Sequence, residues 1–117
     1  MSHTVPFKLR EEEAKFVCQN RLARLATASA DGQPHVVPIA YEFDGEYFYF
    51  SGRNLLNSLK CRHVARNKRV ALVIDDVISA SPWRARGVEL RGTAEVLKER
   101  GQPYVRITPQ SKASWGL

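Results

Sequence analysis

Short runs of apolar residues, separated by turn residues, give this chain the pattern of a β protein. The runs lie at residues 22–29, 34–43, 47–50, 70–74, 88–97 and 104–108. They contain the β-branched, aromatic and small residues that pack in a sheet. Asp44-Gly45 separates two of the runs and is a strong hairpin signal. The pattern therefore predicts about six strands.

Proline and glycine mark irregular positions in these runs. Pro38 has no N–H to donate to a ladder, so it indicates a sheet edge, a bulge, or a place where something other than a strand lies alongside. Gly92 indicates a bulge or a barrel corner, and Pro109 is expected to end the last strand. Asp75 and Asp76 are expected at a strand terminus. The irregular segments are predicted to be an arm at residues 1–7, a loop at 75–87, a polar turn at 98–103 and a tail at 111–117.

Two segments are predicted to be helical. Residues 8–20 place Leu9, Phe16 and Val17 near helical spacing, and three glutamates suit the first turn. Residues 54–69 form a basic helix. A doubly wound α/β fold needs a helix after nearly every strand, so we predict a mainly β fold. Its antiparallel sheet closes into a small barrel with flanking helices.

Residues 47–76 carry the strongest chemical signal. They are predicted to form a strand, a small-residue turn at Ser51-Gly52, the basic helix and a second strand. Free N–H groups at a helix N-terminus favour an anion, and Ser51, Ser58 and Lys60 can add hydrogen bonds or charge. The pattern predicts a phosphate site. By itself it leaves open whether the phosphate belongs to a cofactor or to a nucleic-acid backbone.

Composition limits the function classes. The chain has 117 residues, with 44% apolar and 26% charged, which suits one soluble domain over residues 1–117. It contains neither an apolar run long enough to span a membrane nor a signal peptide's apolar core, so we expect a cytoplasmic protein. The net charge of +6 attracts anions in general. We expect both cysteines to be reduced, His35 and His63 to lie at the surface, and no metal site.

Five motifs in order resemble one known family. They are HVVPIAYEFDGEYFYFSG, the basic helix with its Ser58-Leu59-Lys60, RVALVIDD, PWRARGVELRGTAEV, and VRITP followed by SWGL. The set is similar to the pyridoxamine 5′-phosphate oxidase-like, FMN-binding split barrels, and most similar to the coenzyme F420-dependent branch. It covers residues 21–117. The segment between Val96 and Tyr104 is about one helix shorter than the resemblance implies.

The resemblance implies a cofactor held at a homodimer interface. It places a backbone strand against the ring system, Phe50 and Ser51 beside the phosphate, and Ser58 and Lys60 on the phosphate. Leu59 stands where many relatives carry arginine, a charge that Arg53 can replace. The loop that contains Trp83 and Arg86 is implied to reach the partner's cofactor. The implied cofactor-binding residues are Val36, Val37, Pro38, Phe50, Ser51, Arg53, Ser58, Lys60, Trp83, Arg86 and Trp115.

Simpler roles stand beside several of these assignments. Ser58 is also suited to helix capping, and Trp83 and Arg86 are equally suited to anchoring an interface. Trp115 is better suited to core or dimer packing than to a cofactor contact. The aromatic residues 47–50 are interpreted mainly as barrel core.

The implied activity is transfer of hydride from F420, with FMN as the alternative, to a small organic substrate. The sequence shows no triad, nucleophile elbow or carboxylate pair, so no catalytic residue is assigned. A second hypothesis is a non-catalytic carrier or sensor of the cofactor. A nucleic-acid module is not favoured, because the basic helix has no interleaved aromatic residues for stacking.

Overall fold

The computed structural model describes residues 7–99 and 101–117. Within them, seven strands form one antiparallel sheet in the order β2-β1-β5-β6-β7-β4-β3. The strands are β1 (Leu22–Ala28), β2 (Pro34–Ala40), β3 (Glu42–Phe43), β4 (Phe48–Phe50), β5 (Arg69–Ala80), β6 (Trp83–Glu99) and β7 (Gln102–Trp115). The helices are α1 (Glu11–Gln19), a 3-10 turn (Leu55–Asn57) and α2 (Leu59–Arg66). The expected mainly β split barrel is confirmed, with seven strands in place of about six.

Alternate residues of each strand face the core, as the period of two requires. Leu25 of β1, Leu72 of β5 and Leu90 of β6 are fully buried on this face. Helix α1 closes one side, where the Tyr41 hydroxyl donates to the Val17 carbonyl at 2.6 Å. Other large apolar side chains that are almost fully buried are Phe16, Val17, Phe48, Val64, Ile74, Val88, Val105 and Ile107.

The hairpin between β5 and β6 is much longer than expected. Residues 75–87 continue both strands, with Asp75 opposite Gly87 and Asp76 opposite Arg86. The prediction of a loop that starts at a strand terminus was therefore wrong. Each aspartate is matched by a cation: Asp75 by Arg24 at 2.5 Å, and Asp76 by Arg86 at 2.7 Å. Charged residues persist along this hairpin because their partners lie on neighbouring strands.

The final strand was also predicted too short. β7 runs on through Pro109 to Trp115, so the proline does not end it, and the expected tail is a strand as far as Trp115. The ladder shifts register where Gly92 faces Pro109, which confirms the bulge expected at Gly92. A β-carbon on Gly92 would lie 2.0 Å from the Thr108 carbonyl oxygen. Pro109 has no N–H to donate to the ladder, and the bulge interrupts the regular hydrogen-bond pattern at this position. Only glycine fits opposite the proline.

Other local expectations hold in part. The Asp44-Gly45 hairpin joins β3 to β4, and β2 is an edge strand, as Pro38 indicated. The helix expected at residues 54–69 is divided, because Ser58 has extended backbone (φ −72, ψ 151) between the 3-10 turn and α2.

Of the expected arm, residues 1–6 lie outside the described residues, and Phe7 packs against the core. No helix in the described part of the chain is long and apolar enough to cross a membrane.

Candidate functional site

The outer edge of β2 is a polar backbone surface with few donors. The Tyr41 N–H donates to the Arg21 carbonyl at 3.0 Å. Because donors alternate in an antiparallel ladder, Tyr41 and every second residue before it bond to β1. Pro34, Val36, Pro38 and Ala40 therefore turn their backbone groups outward. Two of these four are prolines, so the edge presents four carbonyls and two N–H groups.

Of the three residues predicted to contact the ring, Val36, Val37 and Pro38, two face outward at this edge and one does not. Val36 and Pro38 are exposed and present their backbone outward. Val37 turns its side chain to the core and its backbone to β1. The edge can therefore contact a ligand through Val36 and Pro38, but not through Val37.

A cleft of about 960 Å³ connects the end of β2 with the end of β4. Ala40 and Tyr41 form one side, and Phe50 and Ser51 form the other. Phe50 is buried while Ser51 is exposed. The structure thus brings the predicted Phe50–Ser51 pair to the same cleft as Ala40, the last residue of β2, whereas Val36 and Pro38 do not line this cleft. Its remaining lining residues are Arg21, Glu42, Tyr49, Glu99 and Tyr104.

These remaining lining residues of the cleft were not predicted from the sequence, because they come from distant parts of the chain. Tyr49 and Tyr104 meet across the β4–β7 ladder, with ring centroids 6.0 Å apart. The Tyr49 hydroxyl donates to Asp44 at 2.8 Å, and this bond to a carboxylate raises the pKa of Tyr49 to about 12. Burial, followed by a hydrogen bond to Glu99, raises the pKa of Tyr104. Both phenols remain protonated at neutral pH.

The N-terminus of α2 lies farther along the chain than predicted, because the 3-10 turn separates it from Ser51-Gly52, and Ser58 is already hydrogen-bonded there. Its hydroxyl donates to the Leu55 carbonyl at 2.6 Å and accepts from the Cys61 N–H at 3.3 Å. The capping role weighed from the sequence is therefore present. Lys60 is half-buried and makes no ion pair within the described residues. Arg53 is exposed in the preceding turn, where Asn54 has a left-handed backbone (φ 57).

The two described histidines are not simple surface residues, contrary to the expectation. His63 of α2 lies 2.9 Å through Nδ1 from the hydroxyl of buried Thr27. The His35 ring of β2 meets the His63 ring edge-on, with centroids 5.4 Å apart, and its own Nδ1 is buried without a partner. This contact joins α2 to the β2 edge strand. Residues 7–99 and 101–117 contain no group of three or more metal-ligating side chains.

Trp83 and Arg86 of the β5–β6 hairpin and Trp115 near the end of β7 differ in whether they contact other residues of the chain. Trp83 is 69% exposed at the hairpin tip. Arg86 binds Asp76 through two hydrogen bonds and lies over the Phe16 ring at 5.0 Å. Trp115 packs on Gly87, where a β-carbon would lie 2.4 Å from its indole. Arg86 and Trp115 therefore have structural partners within the chain, whereas Trp83 has a large free surface.

The outer face of the sheet, opposite the core, carries small and apolar side chains beside charged ones. Pairing across the ladders aligns Val36 with Ala26 and Ala71 in one row. Val36, Leu22 and Val77 on this face are more than half exposed, at 65%, 58% and 53%. Two exposed ion pairs also lie on this face, Arg24–Asp75 and Arg91–Glu89. We call this surface the outer sheet face.

Comparison with known proteins identifies the family. The pyridoxamine 5′-phosphate oxidase family model matches residues 9–114. A 5a,11a-dehydrotetracycline/5a,11a-dehydrooxytetracycline reductase of Streptomyces rimosus subsp. rimosus is 37% identical, over 92% of this chain and 82% of that protein. The chain belongs to the pyridoxamine 5′-phosphate oxidase family. Family and fold together support an oxidoreductase with a flavin-type cofactor.

Solved structures agree on the fold. A conserved hypothetical protein of Mycobacterium tuberculosis superposes with a TM-score of 0.77 at 24% identity, covering 99% of this chain and 90% of that one. A protein described as an F420 reductase gives a TM-score of 0.72 at 20% identity, covering 90% of this chain and 98% of that one. A FAD-binding protein of Mesorhizobium loti gives 0.70 at 23% identity, covering 88% and 89%. At these identities the likeness shows the split-barrel fold alone.

Proposed function

We propose that this protein is an F420-dependent reductase that transfers hydride to a small conjugated carbonyl compound. The observation that carries the proposal is the acceptor-rich β2 edge, whose last residue, Ala40, lines the same cleft as Ser51 at the end of β4. The S. rimosus relative is named for the reduction of a dehydrotetracycline, which supports this substrate class. FMN is the alternative cofactor.

The ring of the cofactor is assigned to the β2 edge. Flavins and deazaflavins are planar heterocycles with a ring N–H that donates and carbonyls that accept. The outward carbonyls of Val36 and Pro38 suit the donor, and the Val36 N–H suits an acceptor. Pro38 also prevents another strand from pairing fully at this edge, because it has no N–H. The edge is thereby kept available for a ligand.

The phosphate end is assigned to the turn after β4 and the start of α2. Lys60 supplies a positive charge that no described carboxylate neutralises. Ser51 and Arg53 are exposed in the same connection and add a donor and a second charge. The Ser58 hydroxyl already donates to the Leu55 carbonyl and caps the Cys61 N–H, so we assign Ser58 the positioning of α2 with a weaker phosphate contact.

The bound cofactor supplies the hydride, and the protein's own residues orient it and exclude water.

The outer sheet face is assigned to a second copy of the chain. Exposed apolar residues on this face are the kind that a homodimer buries. Trp83, 69% exposed at the hairpin tip, is placed to extend across that partner. A groove between two copies would enclose the β2 edge from both sides.

Cofactor titration tests the proposal. F420 and FMN are each added to purified protein, and binding is followed by the cofactor's own absorbance and fluorescence. Saturable binding of F420, followed by oxidation of reduced F420 by 5a,11a-dehydrooxytetracycline or 2-cyclohexenone, is expected. Binding without any turnover would support a carrier, and failure of both cofactors to bind would refute the assignment.

Lys60→Ala tests the phosphate end. Loss of a charge-assisted hydrogen bond of about 1.5–3 kcal/mol predicts roughly 10- to 150-fold weaker cofactor binding. Lys68→Ala is the matched control, because Lys68 is an exposed lysine just after the same helix. Equal affinities for the two variants would show that Lys60 does not bind the phosphate.

A further inference from the structure

A second binding surface lies beside the proposed cofactor groove. The 960 Å³ cleft extends from Ala40 and Ser51 to a wall formed by Tyr49 and Tyr104. We propose that this wall binds a planar group that carries a positive charge, such as a conjugated substrate with a protonated amine. The inference rests on the proposed function only for the link to hydride transfer.

The tyrosine wall favours cations. The Tyr49 phenol donates to Asp44 at 2.8 Å, and Glu99 lies beside the Tyr104 phenol. Donating a proton to a carboxylate makes the phenol ring richer in electrons, and an electron-rich face attracts a cation. The next tyrosine along already shows this contact, because the Arg106 guanidinium lies 4.8 Å from the Tyr47 ring centroid.

The charged residues that line the cleft also favour a cationic ligand. Its charged lining residues are Glu42, Glu99 and Arg21, so carboxylates outnumber cations. Neither glutamate makes an ion pair within the described residues. This local sign is opposite to the chain's net charge of +6. A cationic ligand is therefore attracted to this cleft in particular, while an anionic one is drawn to the basic surface elsewhere.

Position links the cleft to the reaction. Ala40 is the last outward-facing residue of the β2 edge, and Ser51 begins the turn toward the proposed phosphate site. A planar group lying on the tyrosine wall thus has its inner end beside the cofactor groove. Its charged end lies toward Glu99 and Glu42. The cleft would orient the substrate's reducible bond by holding the end that carries the amine.

Three indole probes that differ in charge test the cleft directly, without any cofactor. Tryptamine is the cation, indole-3-acetamide the neutral probe and indole-3-propionate the anion, and titration calorimetry measures each affinity. Tryptamine is expected to bind most tightly. Glu99→Gln and Glu42→Gln should each weaken tryptamine about two- to fivefold, the range of a solvent-accessible ion pair. They should leave indole-3-acetamide unchanged.

Two further variants complete the test. Glu46→Gln makes the same charge change in the exposed β3–β4 turn, outside the cleft lining, and should leave all three affinities unchanged. Tyr104→Leu should weaken all three probes, because it removes the aromatic surface, whereas Tyr104→Phe should retain the neutral probe. Circular dichroism confirms that each variant is folded.

Equal binding of the three probes, or the same loss in Glu46→Gln as in Glu99→Gln, would overturn the proposal. The cofactor titration separates this result from failure of the proposed function. Protein that binds F420 but shows no tryptamine preference keeps the reductase assignment and loses the cleft. Protein that prefers tryptamine but binds neither F420 nor FMN keeps the cleft and loses the reductase assignment.

Discussion

Glu13 of α1 and Lys112 of β7 form an ion pair across the described structure, with the carboxylate only 2% exposed and the ammonium side chain 26% exposed. The Arg10 N–H also donates to this carboxylate at 2.7 Å. Burial alone would raise the pKa of Glu13, but hydrogen bonds from Lys112, Ser114 and the Arg10 N–H outweigh it and lower the pKa from 4.5 to about 2. The contact fastens α1 over the core beside the last strand.

This pair predicts a pH-dependent loss of stability. Because the folded-state pKa lies below the unfolded value, Glu13 stabilises the fold above about pH 4.5 and loses that effect as the pH falls toward 2. Glu13→Gln should lower the free energy of unfolding by about 3 kcal/mol at pH 7, and the difference from wild type should shrink below pH 4. Urea unfolding at several pH values measures it.

Glu12→Gln is the control for that series. Glu12 is the neighbouring residue of α1, 63% exposed, and its pair with Arg10 is 3.4 Å long. An exposed pair contributes about 0–1 kcal/mol, so this variant should behave nearly as wild type. A pH-independent difference between Glu13→Gln and wild type would show that the carboxylate's charge is not what stabilises the fold.

The β6–β7 bulge predicts a steric intolerance at Gly92. A methyl group there would lie 2.0 Å from the Thr108 carbonyl oxygen, which is backbone and cannot turn away. Gly92→Ala should therefore destabilise the protein by about 2–4 kcal/mol, in the range of core overpacking and strain. Gly52→Ala is the matched control, since a β-carbon added at Gly52 would meet no atom within 4 Å. Thermal unfolding compares the two, and equal melting temperatures would contradict the steric account.

The sequence predicted the features that depend on local chemistry. Gly92 predicted a bulge in β6, Pro38 predicted the edge position of β2, and Asp44-Gly45 predicted the turn between β3 and β4. Each of these features depends on the backbone properties of one or two residues. The length of β5 and β6 was not predictable in this way. Asp76 and Arg86 are strand residues only because the hairpin places them opposite each other.

The candidate site shows the same division between local and long-range information. The turn at Ser51 and the capped helix start at Ser58 follow from nearby residues. The Tyr49–Tyr104 wall and the Thr27–His63 contact join segments 55 and 36 positions apart in the sequence, so the fold must be known before they can be seen. His35 and His63 were assigned to the surface for this reason.

The two duties assigned to Ser58 can be separated by substitution. Ser58→Ala removes the cap on the Cys61 N–H and should lower stability by about 1 kcal/mol. It should also weaken cofactor binding. Ser58→Asp keeps the cap but puts a negative charge beside the proposed phosphate, so stability should be retained while cofactor affinity falls further than in Ser58→Ala. Urea unfolding and cofactor titration measure the two effects independently.

If Ser58→Asp bound the cofactor as tightly as wild type, the phosphate could not lie at the start of α2. Ser58→Asn is the control, because asparagine caps helices without adding charge. It should retain both stability and most of the cofactor affinity.

The outer sheet face gives the last prediction, which concerns the proposed homodimer. Ala26 lies in the middle of this face, with Val36 and Ala71 as its ladder neighbours. Ala26→Glu would place a long, charged side chain in the row of small and apolar residues formed by Val36, Ala26 and Ala71, where a second copy packed on this face would have to desolvate the carboxylate. The variant should sediment as a monomer while wild type sediments as a dimer. Ala30→Glu makes the same change at an exposed residue of the β1–β2 turn and should remain dimeric. Because the cofactor groove is assigned to the space between two copies, Ala26→Glu should also lose F420 binding although every proposed phosphate contact is intact. A monomeric Ala26→Glu that still binds F420 with wild-type affinity would place the whole cofactor site within one chain.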